Sequence, residues 1–435
     1  MIPEFSNEKC VGVVGLGYVG LPLVVAYSSR GFRTIGFDID PMKVDAINAR
    51  NSYIKHIPAV VLEEAGSKGE LEATVDFRRI SECDSVILCV PTPLNRHFEP
   101  DLSYVRGTLD SVVPHLKEGA VISLESTTYP GTTAEEIVPR VEKLGRVPGR
   151  DVFVVYSPER EDPGNSSIAA TKIPKVVGGH TQTCLAAGKS LYEGAFDEIV
   201  PVSSTQVAEL TKLLENIYRS VNIGLVNEMK VAADKMGIDI WEVINAAATK
   251  PFGFKPFYPG PGLGGHCIPI DPFYMSWKAR EFGVNTHFIE LSGEVNRAMP
   301  DYVVGKTVEA LNSVGKPVKG SRILVLGLAY KADVDDLRES PTFSLLDKYA
   351  ELGAEVGYHD PHIPRVGMTR EHKNWAHLES TPLSDAAIGE LDCIVISTNH
   401  SEVDLQKIAD WDGVVVDTRN AMAKFASPSA TVWRA

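Results

Sequence analysis

The chain has 435 residues, a net charge of −14, 44% hydrophobic and 23% charged side chains. This is a soluble globular composition. The acidity excludes a general nucleic-acid or anionic-membrane binder, which would carry a basic face, and the length exceeds one ordinary core and suggests roughly three domains.

Val11 to Val14 reads as a buried parallel strand, followed by Gly15-Leu-Gly17-Tyr18-Val19-Gly20 and a helix through about Arg30. The spacing of Gly15, Gly17 and Gly20 between a strand and a helix is the dinucleotide fingerprint: a tight turn, close approach to a pyrophosphate and close helix packing. A structural glycine turn is the competing reading. A second strand, Thr34 to Phe37, ends at Asp38, where a carboxylate would accept from a ribose 2′-hydroxyl and repel a 2′-phosphate, which favours NAD over NADP. Asp38 or Asp40 can instead cap the helix that Pro41 opens.

Further strands are expected at Ser85–Val90, Ala120–Leu124 and Val152–Val155, alternating with helices, as in a doubly wound parallel sheet. From Thr205 to about Met236 one long helical period runs without Pro. It reads as a connecting helix that can also form a subunit interface, so a homodimer or higher homo-oligomer is expected. The α/β pattern restarts at Arg322–Leu326 and continues with a helix over Thr342–Leu352 and strands at Glu355–Tyr358, Cys393–Ser397 and Val414–Val416. Two doubly wound, Rossmann-like domains joined by a long central helix are therefore expected, with divisions at 1–202, 203–312 and 313–435. Ala426–Ala435 reads as a loose tail.

Between the long helix and the second α/β region lies Tyr258-Pro-Gly-Pro-Gly-Leu-Gly-Gly-His-Cys-Ile-Pro-Ile-Asp271. Glycines at 260, 262, 264 and 265 let the main chain approach a ligand closely. Cys267 could then be offered to a carbonyl carbon as a nucleophile, with Asp271 four residues on. A tight turn holding a buried, inert thiol fits the same residues. Cys10, Cys83, Cys89, Cys184, Cys267 and Cys393 have neither disulfide-like nor metal-like spacing, which fits a reducing cytosol and implies no bound metal. The apolar run Val19–Tyr27 is too short to span a bilayer and no cationic segment precedes it, so a cytoplasmic location is expected.

Taken in order, the motifs GLGYVGLPL (Gly15–Leu23), VPTPL (Val90–Leu94), ESTTYPGT (Glu125–Thr132), SPER (Ser157–Arg160), KLLEN (Lys212–Asn216), Asn227-Glu228, GGHCIPIDP (Gly264–Pro272), GLAYK (Gly327–Lys331), RESP (Arg338–Pro341) and DTRN (Asp417–Asn420) span nearly the whole chain. They make it resemble the nucleotide-sugar 6-dehydrogenases of the UDP-glucose/GDP-mannose dehydrogenase family. The resemblance implies oxidation of a primary alcohol to an acid with two NAD per substrate, and a UDP-sugar as the partner molecule.

It also implies roles residue by residue. Cys267 matches the thiol that traps the aldehyde. Lys212 matches a lysine in base or oxyanion roles, and Asp271 the aspartate that orients or deprotonates water or alcohol. Thr127 and Asn216 match residues that position water and the oxyanion, and Glu159 the glutamate of the substrate loop. Gly15, Gly17, Tyr18, Val19, Gly20, Asp38, Lys43, Pro91, Thr92 and Thr127 fall on the NAD side. Glu159, Arg160, Lys212, Asn216, Tyr258, Gly264, Lys331, Arg338 and Arg419 fall on the UDP-sugar side. Arginine suits a diphosphate because its planar fork donates two hydrogen bonds, although an interdomain salt bridge is as good a reading for Arg338. Outside the resemblance, Lys212 reads as a solvated helix face, Asp271 as a turn or cap, and His266 as a packing or substrate residue.

Two departures bear on the substrate. Pro163 stands where UDP-glucose dehydrogenases carry a second glutamate, and GGHCIPIDP differs from their cysteine motif. Both resemble the N-acetylhexosamine branch and imply UDP-N-acetylglucosamine, with UDP-N-acetylmannosamine next and UDP-glucose disfavoured, in the making of surface-polysaccharide precursors. A catalytically silent nucleotide-sugar binding protein would have lost Cys267, Lys212 or Asp271. A hydroxyacid dehydrogenase of the 6-phosphogluconate type needs neither the cysteine nor the second α/β domain.

Overall fold

The computed structural model describes residues 2–54, 57–95, 99–160, 170–265, 268–367 and 372–435. The chain divides into two compact units, one of residues 1–215 with 273–285, the other of 216–272 with 286–435.

The first unit is built on an eight-stranded sheet. Its strands are β1 Cys10–Val14, β2 Arg33–Phe37, β3 Leu71–Thr74, β4 Ser85–Leu88, β5 Ala120–Leu124, β6 Val152–Tyr156, β7 Lys175–Gly179 and β8 Ile199–Val202, in the order β3-β2-β1-β4-β5-β6-β7-β8. All pairings are parallel except β6 with β7. The central strands are buried along their whole length, as expected where both faces of a parallel sheet are covered. From β1 the chain builds outward through β2 and β3, then returns to place β4 on the other side. The switch point between β1 and β4 opens a crevice at their carboxyl ends, where Gly15 and Cys89 follow the two strands.

The second unit carries a five-stranded, wholly parallel sheet: β9 Arg322–Leu326, β10 Glu355–His359, β11 Cys393–Ile396, β12 Val414–Asp417 and β13 Thr431–Arg434, ordered β10-β9-β11-β12-β13. Alternate residues serve opposite faces. Ile323, Val325, Val395 and Val416 join one core cluster, whereas Leu324, Leu326, Ile394 and Val415 join the other. The two parallel-sheet domains and the 31-residue helix Thr205–Lys235 match the expected architecture.

The two sheets repeat one local device. Gly15 sits at φ +90° with its N–H on Phe37 O, and a Cβ there would lie 2.4 Å from Cys89 O. Gly327 sits at φ +84° with its N–H on His359 O, and a Cβ would lie 2.4 Å from Thr398 O. In each case only glycine lets the first strand turn beneath its neighbour.

The expected loose tail is a correction. Thr431–Arg434 forms β13 against β12, and the Ala435 N–H donates to Asp417 O at 2.9 Å. Thr431 and Arg434 are exposed while Val432 and Trp433 are half-buried, so the strand pairs at an edge without an alternating pattern that would mark it in the sequence. Strands β3, β7 and β8 were also absent from the expectation. Each lacks an unbroken apolar run: β3 carries Glu72, β7 begins at Lys175 and ends in two glycines, and β8 contains Pro201.

Candidate active site

Gly15, Leu16 and Gly17 lead from β1 into helix α1, Gly20–Ser29, whose first turn has no side-chain cap. A Cβ on Gly20 would fall 1.8 Å from Gly15 O, so the turn is closed on its inner side. A Cβ on Gly17 would meet nothing within 4 Å, so its outer side is open. Tyr18 and Val19 are half-buried beside it. The Asp38 carboxylate receives the Leu16 N–H at 2.8 Å and the Asp40 N–H at 3.0 Å, and Lys43 Nζ lies 3.3 Å away. Asp40, not Asp38, caps helix α2, Pro41–Asn48, by accepting from Met42 N. Asp38 is thus held at the end of β2 beside the glycine turn, and the donor set and open cradle fit an NAD ribose and pyrophosphate. Across the switch point, Thr92 Oγ1 donates to Thr127 O at 2.8 Å, and Ser126 Oγ bridges Val90 N and O. Pro91 is exposed and Thr127 half-buried.

Glu159 and Arg160 follow β6. Glu159 Oε1 accepts from Arg160 N at 2.6 Å and Oε2 lies 3.3 Å from Lys175 Nζ, while the Arg160 guanidinium reaches Glu215 and Pro174 O. On the long helix Lys212 is 6% exposed and has no ion-pair or hydrogen-bond partner among the described residues. A buried ammonium without a counter-charge is costly unless a ligand supplies one. The first unit also buries Glu209, which accepts from Gly131 N, Thr133 N and Thr133 Oγ1. Burial pushes its carboxyl up to about 7 against these donors.

In the second unit, one helical turn beyond Lys212 in sequence, buried Asn216 donates through Nδ2 to Asp271 Oδ2 at 2.5 Å and accepts from Arg219. Asp271 is the first residue of the helix Asp271–Glu281, where the positive end of the helix favours its carboxylate. The glycine loop is tied down residue by residue. Tyr258 stacks on Trp241 and donates to Asn245, and the Gly260 N–H donates to Asn227 Oδ1 at 3.0 Å. Asn227 is itself held by Asn296 at 2.8 Å. A Cβ on Gly264 would lie 2.6 Å from Tyr330 Cβ, and one on Gly260 would lie 2.4 Å from the Arg419 guanidinium. The glycines are needed because the loop lies directly on Tyr330 and Arg419. His266, Cys267 and Pro163 lie outside the described residues.

Arg419 Nε donates to Ser397 O, and burial pulls its guanidinium down to about 10, still charged near neutrality. Arg338 is gripped in a fork by Asp336, two residues earlier. Lys331 is half-buried in the loop after β9. Sequence reasoning quoted Asn227 within a motif but missed its role in fixing the loop. Its contact with Gly260 N spans 33 residues, so no local pattern records it.

Asp333, His362 and His400 have potential metal-ligating atoms within 4.8 Å of one another. Both ring nitrogens of His400 are already used, Nε2 with Asp360 at 3.0 Å and Nδ1 with the Asp333 N–H at 3.0 Å. The cluster acts as a strut that holds the loop after β9.

Family models for the UDP-glucose/GDP-mannose dehydrogenases match along the chain: the NAD binding domain at 9–196, the central domain at 206–298 and the UDP binding domain at 324–424. The chain belongs to this family. It is an NAD-dependent UDP-sugar dehydrogenase. A UDP-N-acetyl-D-glucosamine 6-dehydrogenase of Pseudomonas aeruginosa is 36% identical over 90% of both chains. A UDP-N-acetyl-D-mannosamine dehydrogenase of Pyrococcus horikoshii is 32% identical over 94% of this chain and 95% of its own. The solved structure of a UDP-D-ManNAc dehydrogenase from Pyrococcus horikoshii, at 30% identity, superposes with a TM-score of 0.88 over 98% of each chain. Among the described residues no helix is long and apolar enough to cross a membrane.

Proposed function

We propose that this chain oxidises the C6 hydroxymethyl of UDP-N-acetylglucosamine to the uronic acid. The dehydrogenase reading is carried by Cys267 in the glycine loop, buried Lys212 with no ion-pair partner among the described residues, and Asp271 bound by Asn216, and the choice of an N-acetylhexosamine by Pro163 and GGHCIPIDP. NAD, when bound, supplies the two-electron acceptor for each of the two oxidations. Gly15, Gly17, Tyr18, Val19, Gly20, Asp38, Lys43, Pro91, Thr92 and Thr127 are the residues assigned to hold it.

The Lys212 ammonium favours the alkoxide that forms as the alcohol loses its proton. The Cys267 thiolate adds to the aldehyde carbon and retains it as a thiohemiacetal, then as a thioester. Asp271, fixed by Asn216, takes the proton of the water that cleaves the thioester and frees the thiol. Lys331, Arg338 and Arg419 are assigned to the UDP moiety, with Tyr258 and Gly264 shaping the loop around the sugar. Arg338 must then share its fork between Asp336 and the diphosphate.

The epimeric UDP-N-acetylmannosamine is the second reading, supported by relatives that are UDP-N-acetyl-D-mannosamine dehydrogenases at 30–32% identity. UDP-glucose comes third. The test is NADH formation from the three UDP-sugars at equal concentration. Preference for UDP-N-acetylglucosamine supports the assignment, and preference for UDP-glucose contradicts it.

We also assign the working form as a homodimer or larger homo-oligomer. Val207, Leu210, Leu214, Tyr218, Leu225 and Met229 recur at helical spacing on the long helix and are exposed in the single chain.

A further inference from the structure

Lys331 lies half-buried in the loop 327–333, which is tied at both ends. At its start, Asp360, the residue after β10, accepts the Leu328 N–H at 2.8 Å and the Ala329 N–H at 2.9 Å on Oδ2. Its other oxygen accepts the N–H groups of His362 and Ile363 at 2.8 and 3.0 Å. Thr398 Oγ1, beyond β11, donates to Ala329 O at 2.7 Å. At the loop's end, the Asp333 N–H donates to His400 Nδ1 at 3.0 Å. Asp333 Oδ1 accepts from Ser401 N and Ser401 Oγ at 2.8 and 2.9 Å. Asp333 sits at φ +62°, a left-handed conformation that these bonds maintain.

His400 joins the two ends. It is 1% exposed, and its Nε2 lies 3.0 Å from Asp360 Oδ2. A backbone N–H can only donate, so Nδ1 is the bare nitrogen facing Asp333, and Nε2 carries the proton that Asp360 accepts. One tautomer of one buried ring thus serves both ends of the loop. Burial works against the Asp360 charge, but His400 and the Ala329 N–H outweigh it and hold the carboxyl down at about 2. Asp360 is therefore a lasting acceptor. In the first sheet Asp38 holds the corresponding Leu16 N–H. The second sheet extends that device through His400 to the far end of the loop.

We propose that His400 is a positioning residue which, by bridging Asp360 to Asp333, sets Lys331 for the diphosphate of the UDP-sugar. The step to the ligand rests on the assignment of Lys331 to the UDP moiety. The bridge does not, so two readouts separate them.

Calorimetric titration of the full chain with UDP reads the ligand side. Hydrogen exchange of the backbone amides of residues 328–335, followed by mass spectrometry, reads the loop. His400→Asn keeps an acceptor, Oδ1, in place of Nδ1, and loses the donor to Asp360, which retains its four backbone donors. His400→Gln keeps a donor in place of Nε2 and loses the acceptor for Asp333. His400→Gln and His400→Ala should weaken UDP binding by about tenfold and speed exchange in the loop, whereas His400→Asn should stay within about threefold of wild type in both. In turnover the loss should fall on KM for the UDP-sugar, with kcat and KM for NAD changed less than about twofold. If the Ala and Gln variants do not fold, Ser401→Ala, at an exposed position, removes a second hold on Asp333 and should weaken UDP by about threefold. His400→Gln at wild-type affinity and exchange, His400→Asn as weak as His400→Ala, or Ser401→Ala without effect where it stands alone, overturns the proposal. Failure of wild type to bind UDP removes the Lys331 assignment, and exchange then decides the bridge by itself.

Discussion

Asp38 and Asp40 lie two residues apart, and either could cap the helix at Pro41. The structure gives that role to Asp40 and leaves Asp38 at the glycine turn. Asp38→Ser should therefore lower kcat/KM for NAD and raise the NADP-to-NAD ratio by about tenfold or more, read from initial rates with the two cofactors. Unchanged selectivity would mean that Asp38 only braces the turn through Leu16 N. Lys212→Ala should cut kcat by about 10²–10³-fold and Asp271→Asn by about 10²–10⁴-fold, with NADH affinity near wild type by fluorescence titration. Cys267, Lys212 and Asp271 stood out in the sequence because their motifs combine residue types that packing alone does not demand. The Asn216–Asp271 bond did not, because 55 residues separate the partners and no local pattern records their meeting. Lys175 was not legible because a lone charge in sequence reads as surface, and β7, which buries it, ends in two glycines instead of an apolar run.

At the scale of elements, the glycine loop and the last strand make separable predictions. Gly264→Ala puts a Cβ 2.6 Å from Tyr330 Cβ and 3.2 Å from Glu339 O, so the loop must lift from its seat. Turnover should drop by about tenfold or more, since small misplacements of reacting groups are costly, while NAD binding in the first unit stays intact. Equal loss of both would point to global unfolding instead. Removal of residues 431–435 exposes the β12 edge and takes away the Arg434 carbonyl that receives Lys230 Nζ. The expected result is a Tm several degrees lower and a greater tendency to aggregate through the bared edge. The strands with unbroken apolar runs, such as Ala120–Leu124 and Val152–Tyr156, and the 31-residue helix were legible because their patterns are strong. Strands β3, β7, β8 and β13 were not, because short strands broken by charge, Gly or Pro carry little pattern and gain their stability from neighbours.

For the whole molecule, pH and assembly carry the consequences. Glu125 and Glu209 both titrate near 7 in the fold against 4.5 in the unfolded chain. A carboxyl whose folded value is raised contributes stability that is fully present below 4.5 and is lost as pH rises through 7. Tm should thus fall by about 5 °C between pH 5 and pH 8, and Glu209→Gln should flatten part of that slope. A Tm that climbs over this range would mean that the three donors to Glu209 outweigh its burial. The exposed apolar stripe of the long helix predicts a dimer or larger species by light scattering, and Leu214→Glu should shift it towards monomer.

The central claim is a four-electron oxidation of a UDP-N-acetylhexosamine through Cys267. Its most direct test is the stoichiometry of NADH and acid formed from UDP-N-acetylglucosamine by wild type and by Cys267→Ser. Wild type should yield two NADH per acid, faster than from UDP-N-acetylmannosamine or UDP-glucose, and Cys267→Ser should yield no acid at steady state. Full turnover by the serine variant would contradict the covalent route, and faster oxidation of UDP-glucose would contradict the substrate assignment.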